Sequence, residues 1–297
     1  MSLPCFVLLK VFRHLPQQLQ ELEIHVNSDP YQDDHHDHQD DPQYHIHCDA
    51  DLFKSSGTVF NLRRLILNTN LNCFHHRMLI PLLRQCPDLE ELMLPRIKEH
   101  IIELTQVLDS HCKRLHTLNQ EDYGASLMSA GHIDALLRAF SRGFRQLHLC
   151  SHSWDWEYYI LETLTTTATV NTIEVLRLSN YQRVESYHIL GILRHCPRLR
   201  VFQMGVESDH HFGVDFSDLV VSMDEGWKCW DTLEVLTLKV HNKVAIGHLY
   251  LKEWKHRTAL DARKLRLGLR TLPKLVTLDI RWSVMMYEWE FETVFSP

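Results

Sequence analysis

Residues 82–94 read L-L-R-Q-C-P-D-L-E-E-L-M-L, and residues 192–204 read I-L-R-H-C-P-R-L-R-V-F-Q-M. A looser copy, V-L-D-S-H-C-K-R-L-H-T-L, occupies residues 107–118. Each copy is the end of a helix, a cysteine at a corner, and a short strand whose apolar residues stand three apart, followed in the first two copies by another two further on. Composition alone does not produce three such copies. The chain is built from repeats, and a repeated unit buries its apolar face against its neighbours rather than in one central core.

Searching for L-x-x-L-x-L with apolar swaps gives nine candidate strands, starting at Leu19, Leu62, Leu89, Leu115, Phe144, Ile173, Leu199, Leu233 and Leu275. The intervals are 43, 27, 26, 29, 29, 26, 34 and 42 residues, so the period is 26–29 and both ends carry insertions. Helical spacing of apolar residues fills the intervals at 97–110, 132–140 and 184–193, and Pro87, Pro197 and Pro273 fall where helices must stop. Units of strand, turn, helix and return stack their strands in parallel, and helices wider than strands bend the stack. The expected fold is α/β: one solenoid domain over residues 1–297, about eight or nine units, with strands on a concave side and helices on a convex side.

The spacing C-x-x-L-x-x-L-x-L at Cys86/Leu89/Leu92/Leu94 and Cys196/Leu199/Phe202/Met204, with Cys112/Leu115/Leu118 as a shorter form, resembles the cysteine-containing leucine-rich repeat. That repeat, with its ribonuclease-inhibitor-like horseshoe, is typical of F-box/leucine-rich-repeat proteins, and the chain resembles their degenerate fungal-type members over roughly residues 10–282. Leu272 stands where the cysteine belongs before Leu275, and Cys229 lies one residue too far from Leu233. The resemblance implies a substrate-recognition part of a cullin-type ubiquitin ligase, in the cytoplasm or nucleus, whose catalysis belongs to its partners. Leu3-Pro4, Val7-Leu8, Val11-Phe12 and Leu15 echo an F-box opening, but the repeat strand at Leu19 follows at once. Residues 3–14 therefore read as the helix of the first repeat, and an F-box for contact with the ligase adaptor is expected either upstream of this chain or not at all. The alternative is a stand-alone scaffold or inhibitor unrelated to ubiquitin.

Bulk properties narrow the function classes. No apolar run approaches the ~18 residues that span a bilayer, and the N-terminus lacks the basic region and cleavage site of a signal peptide. The eight cysteines follow the repeat rather than a disulfide framework and no N-x-Ser/Thr sequon is present, which points to a reducing compartment. No G-x-S-x-G, H-E-x-x-H, P-loop or dinucleotide glycine pattern occurs, so no catalytic residue and no cofactor is expected. The pairs His111-Cys112 and His195-Cys196 are explained by the repeat.

Residues 29–51 hold eight aspartates, five histidines and no lysine or arginine. The net charge of the chain is −7, so removing eight negative charges leaves +1, and the acidity belongs to this one loop. His36, His38, His45, His47 and Cys48 are ligand types for zinc, but their spacing matches no recognised site. With nothing apolar to bury, the segment reads as a disordered acidic insertion, and no metal is expected.

Side chains alternating with the strand leucines form the exposed strand face. The candidate protein-binding residues on it are Arg64, Asn68, Glu91, Met93, His148, Arg177, Gln203, Lys239, Asp279 and Arg281. Their mixed charge argues against nucleic acid as partner. The aromatic group Trp154, Trp156, Tyr158 and Tyr159 reads as packing between strand and helix, and Trp227 and Trp230 as corner packing. Residues 283–297, with Met285, Met286, Tyr287, Trp289, Phe291 and Phe295, read as a cap on the open end of the stack or the cut end of a longer chain.

Overall fold

A computed structural model describes residues 15–26, 59–69, 76–93, 101–119, 130–150, 157–179, 186–204, 214–241 and 263–282. The acidic insertion, the F-box-like opening at 3–14, Trp154, Trp156 and the segment 283–297 lie outside the described residues. The chain divides into two compact units, residues 1–141 and 142–297.

The first unit contains strands β1 (Glu21–Val26), β2 (Arg64–Thr69), β3 (Glu91–Met93) and β4 (Thr117–Asn119), paired in that order and all parallel. Helices α1 (His76–Arg84), α2 (Ile101–His111) and α3 (Ala130–Ala139) follow β2, β3 and β4, and successive helices touch. Residues holding the same place in the sequence pattern are partners in the ladder: Leu22, Leu65, Leu92 and Leu118. Of these, Leu65, Leu92 and Leu118 are completely buried, together with Leu82 and Leu83 of α1 and Leu108 of α2. The helical spacing at 97–110 corresponds to α2, which buries Leu104, Thr105, Val107 and Leu108 on one side. Pro81 sits inside α1, where it removes one backbone hydrogen bond. The N–H and hydroxyl of Ser141, beyond α3, both donate to Asp109 Oδ1 (3.2 and 3.0 Å), which ties the end of α3 to α2.

The second unit contains β5 (Gln146–Cys150), β6 (Val175–Ser179), β7 (Val201–Met204), β8 (Val214–Asp215), β9 (Val235–His241) and β10 (Thr277–Trp282). The order is β5-β6-β7-β9-β10, all parallel, and β8 pairs with the end of β9 beyond the stretch that β7 covers. Leu147, Leu176, Phe202, Leu236 and Leu278 form one in-register row, and all but Leu278 are buried. Helices α4 (Glu157–Thr166), α5 (Ser186–His195), α6 (Phe216–Glu225) and α7 (residues 263–270) lie between strands, with α4 touching α5 and α5 touching α6.

Local chemistry fixes these elements. Asp215 caps α6, its carboxylate accepting from Ser217 N at 2.9 Å, while its own N–H donates to the buried Ser186 hydroxyl at the start of α5 (2.7 Å). Gly226 ends α6 with φ 86°, a conformation that favours glycine. Gly143 (φ 68°) turns the chain into β5 so tightly that a Cβ there would lie 2.8 Å from the Ala168 backbone carbon. The buried Ser222 hydroxyl accepts from Trp227 Nε1 (2.9 Å) and Arg194 Nε (3.2 Å), which places the corner tryptophan against α6.

The cysteines at the corners before the strands are small buried groups. Cys86, Cys112, Cys196 and Cys229 are free and buried, and the Sγ atoms of Cys86 and Cys229 lie 3.2 and 3.4 Å from the carbonyls of Leu82 and Leu193. Burial, and for Cys196 the neighbouring Cys229, pushes the Cys196 and Cys229 thiols up to about 12, and burial with the nearby Cys112 moves Cys86 in the same direction. A thiol whose pKa is raised by folding contributes stability below its unfolded pKa that is lost as pH rises through the folded value.

Truncating Leu176 to Ala is expected to cost about 3 kcal/mol in urea unfolding, and Leu176→Asp to prevent folding through a buried unpaired charge. The exposed Tyr187→Ser is expected to change stability by less than about 0.5 kcal/mol; equal losses at 176 and 187 would overturn the register. Peptide mapping after iodoacetamide treatment at pH 8 is expected to find Cys86, Cys196 and Cys229 unmodified until urea unfolds the chain. Stability should fall as pH rises above about 9, where thiols of the unfolded chain ionise.

Candidate functional site

Turned away from the leucine rows, each unit carries a strand face whose composition changes from strand to strand. In the first unit, Glu21, Arg64, Glu91 and Thr117 are ladder partners at one level, and Glu23, Ile66, Met93 and Asn119 at the next. Arg64 is the centre of the first level. Its Nη1 contacts Glu23 and approaches Glu21 Oε2 at 3.8 Å, and its Nε is 3.2 Å from Glu91 Oε2. Three carboxylates on one guanidinium leave this face negative, and Asn119 Nδ2 donates to Glu91 Oε1 at 3.4 Å. Met93 and Ile66 are only 4% exposed, so Met93 contributes little accessible surface. Asn68 is the ladder partner of His25.

In the second unit, one level holds Gln146, Val175, Val201, Val235 and Thr277, and the next holds His148, Arg177, Gln203, Thr237 and Asp279. The three valines are half-buried, Arg177 is exposed, and His148, Gln203 and Asp279 are half-buried. Lys239 and Arg281 are ladder partners at the following level. Of the residues expected on the strand face, the register thus aligns Arg64 with Glu91, His148 with Arg177 and Gln203, and Lys239 with Arg281.

A third row, missed in the sequence, runs along the starts of the strands. The carbonyls of Arg63, Glu90, Arg145, Glu174, Arg200 and Glu234 each accept two consecutive N–H groups from the next strand, at 2.7–3.1 Å. Their side chains alternate in sign and pair: Arg63 with Glu90 at 4.0 Å, Arg145 with Glu174 at 3.2 Å, and Arg200 with Glu234 through two bonds of 3.0 and 2.9 Å. The hydrogen bond from Arg200 holds the Glu234 carboxyl below its usual range, and the same bond raises Arg200. These residues follow the first apolar residue in six of the nine L-x-x-L motifs, where the Arg-Glu alternation, interrupted by His116, was the available clue.

Reactive groups are kept apart. Cys112 and Cys196 are buried, whereas the neighbouring histidines are exposed, His111 Nδ1 lying 2.7 Å from Ser110 Oγ and His195 Nδ1 donating to Gly191 O at 2.7 Å. Among the described residues no three His, Cys, Asp or Glu side chains converge as metal ligands. A cavity of about 310 Å³ between α6 and α7 is lined by Val220, Met223, Asp224, Trp230, Lys264, Leu265 and Gly268. It offers one carboxylate and one ammonium but no nucleophile. No helix among the described residues is long and apolar enough to cross a membrane.

Compared with known proteins, the chain matches no family model and no curated protein.

A pH titration followed by NMR is expected to give Glu234 a midpoint below that of an unpaired glutamate, and Arg200→Gln to raise it. Because its folded pKa is depressed, the Glu234 contribution to stability is present above the unfolded pKa and lost as pH falls through the folded one. An unshifted midpoint would show that the ion row does not persist in solution.

Proposed function

We propose that the chain is a non-enzymatic protein-binding module, an array of leucine-rich repeats whose strand face is the recognition surface. One observation carries this reading: equivalent leucines stack in register while the residues opposite them change from Arg64 to Glu91 to Thr117, and from His148 to Arg177 to Gln203. A uniform buried side and a variable outer side suit a rigid scaffold that presents chemistry to a partner. Backbone rigidity matters because ordering a loose surface on binding would cost about 0.5–1.5 kcal/mol for each immobilised flexible side chain.

The partner class follows from the resemblance to F-box/leucine-rich-repeat proteins: the chain acts as the substrate-recognition part of a cullin-type ubiquitin ligase, in the cytoplasm or nucleus. In this reading the ligase adaptor is engaged through an F-box.

The test is affinity purification with mass spectrometry from the native cell, using both this chain and the full-length product of its locus. Recovery of the ligase adaptor and a cullin with the full-length product is expected. Recovery of neither, with other proteins captured in stoichiometric amounts, would replace the ligase reading by a stand-alone scaffold or inhibitor.

A further inference from the structure

The strand face of the second unit combines two features that point to the same kind of occupant. Val175, Val201 and Val235 are consecutive ladder partners across β6, β7 and β9, a half-buried aliphatic stripe running across the strands. Two positions further along β6, on the same face, stands Arg177, exposed and with no carboxylate partner among the described residues. Arg145, Arg194 and Arg200 of the same unit are each held by a glutamate, whereas Arg177, on the strand face beside the valines, is not. Gln203, half-buried, is its ladder partner and adds an amide at the same level.

Strands lie about 4.8 Å apart, and residues two apart on one strand are separated by about 6.6 Å. A segment laid across the strands can therefore place aliphatic side chains on the valine stripe and a carboxylate about 6–7 Å to one side, on Arg177 and Gln203. Arginine matches a carboxylate bidentately and is among the residue types most often dominant in interfaces. A basic segment would instead leave Arg177 facing a like charge, and a purely acidic one would leave the valines uncovered.

We propose that this face docks an extended segment of a partner protein in which an Asp or Glu lies beside branched aliphatic residues. The inference rests on the protein-binding reading above and names the chemistry of its partner. Random dodecapeptides displayed on phage are panned on the full chain, and the enriched peptides are synthesised and titrated against wild type, Arg177→Glu, Arg177→Gln and Val201→Ser. The variants are first checked for unchanged thermal melting. Enriched peptides should carry Asp or Glu next to Val, Ile or Leu, and Arg177→Glu should weaken them about tenfold or more. Changing the peptide's acid to Lys should restore binding to Arg177→Glu, and Val201→Ser should weaken the original peptide. Enriched peptides that are basic, that lack an acid, or that bind Arg177→Glu as well as wild type would overturn this inference and leave the protein-binding reading standing. A wild-type chain that enriches no peptide would count against both.

Discussion

Everything in each unit depends on where the next strand begins, and one backbone carbonyl decides that. The oxygen of Glu90, for example, accepts the N–H groups of both His116 and Thr117, and that of Glu174 accepts those of Arg200 and Val201. Two donors on one acceptor leave no freedom to slide by a residue. A slip of one would turn Leu92 or Leu176 outward and expose an entire apolar row. The backbone bond and the leucine row therefore enforce the same register, and the paired side chains of Arg200 and Glu234 sit on the same two residues that make it. Exposed ion pairs contribute little to stability individually. Their pairing still belongs to this register alone, because a one-residue slip would set Arg200 beside Leu233 or Val235 instead of Glu234.

The leucine spacing was legible because burial leaves few alternatives: a strand backed by helices must place apolar groups on alternate positions, and a polar residue there is costly. The three helices with clear apolar spacing emerged as α2, α3 and α5, with ends displaced by one to four residues. Helices α4 and α6 carried weaker marks. In α4 the sequence E-Y-Y-I-L-E-T-L-T-T mixes aromatic, β-branched and polar residues, so no single apolar period stands out. In α6 the decisive information is the Asp215 cap, which works through a hydrogen bond to Ser217 rather than through hydrophobicity. Pro81 inside α1 runs against the rule that proline stops a helix, yet α1 buries Leu79, Ile80, Leu82 and Leu83 around it. Apolar burial outweighs one lost backbone bond.

The strand face was legible only in outline. Alternation identifies which side a residue takes, but not whether its neighbours across the sheet leave it accessible. Met93 occupies a face position and is buried, while Arg64 at the adjacent level is committed to three glutamates. Both outcomes depend on partners 26 to 43 residues away in sequence, which no local window contains. The same holds for Thr172 and Thr232, each one residue before the first apolar position of its L-x-x-L motif. Their hydroxyls donate to the carbonyls of Phe144 and Leu199, the first apolar positions of the preceding motif.

These constraints also separate the parts of the chain that can vary from those that cannot. The leucine rows, the buried cysteines and the shared carbonyls answer to the stacking alone, since each is satisfied by the layer before or after it. The thiols illustrate the point: burial raises Cys196 and Cys229 to about 12, so Cys196 beside His195 holds little thiolate near neutral pH. What remains free to change is the accessible part of the outward strand row, such as Glu21, Glu23 and Arg177, where a substitution alters surface charge or shape without touching the register; Ile66, Met93 and Thr117 on the same row are buried. In the first unit that row is dominated by carboxylates around Arg64, and in the second by aliphatic groups beside an unpaired Arg177. Two faces of different character on the same backbone plan are what the proposed protein-binding role requires, since the leucine rows behind them are alike.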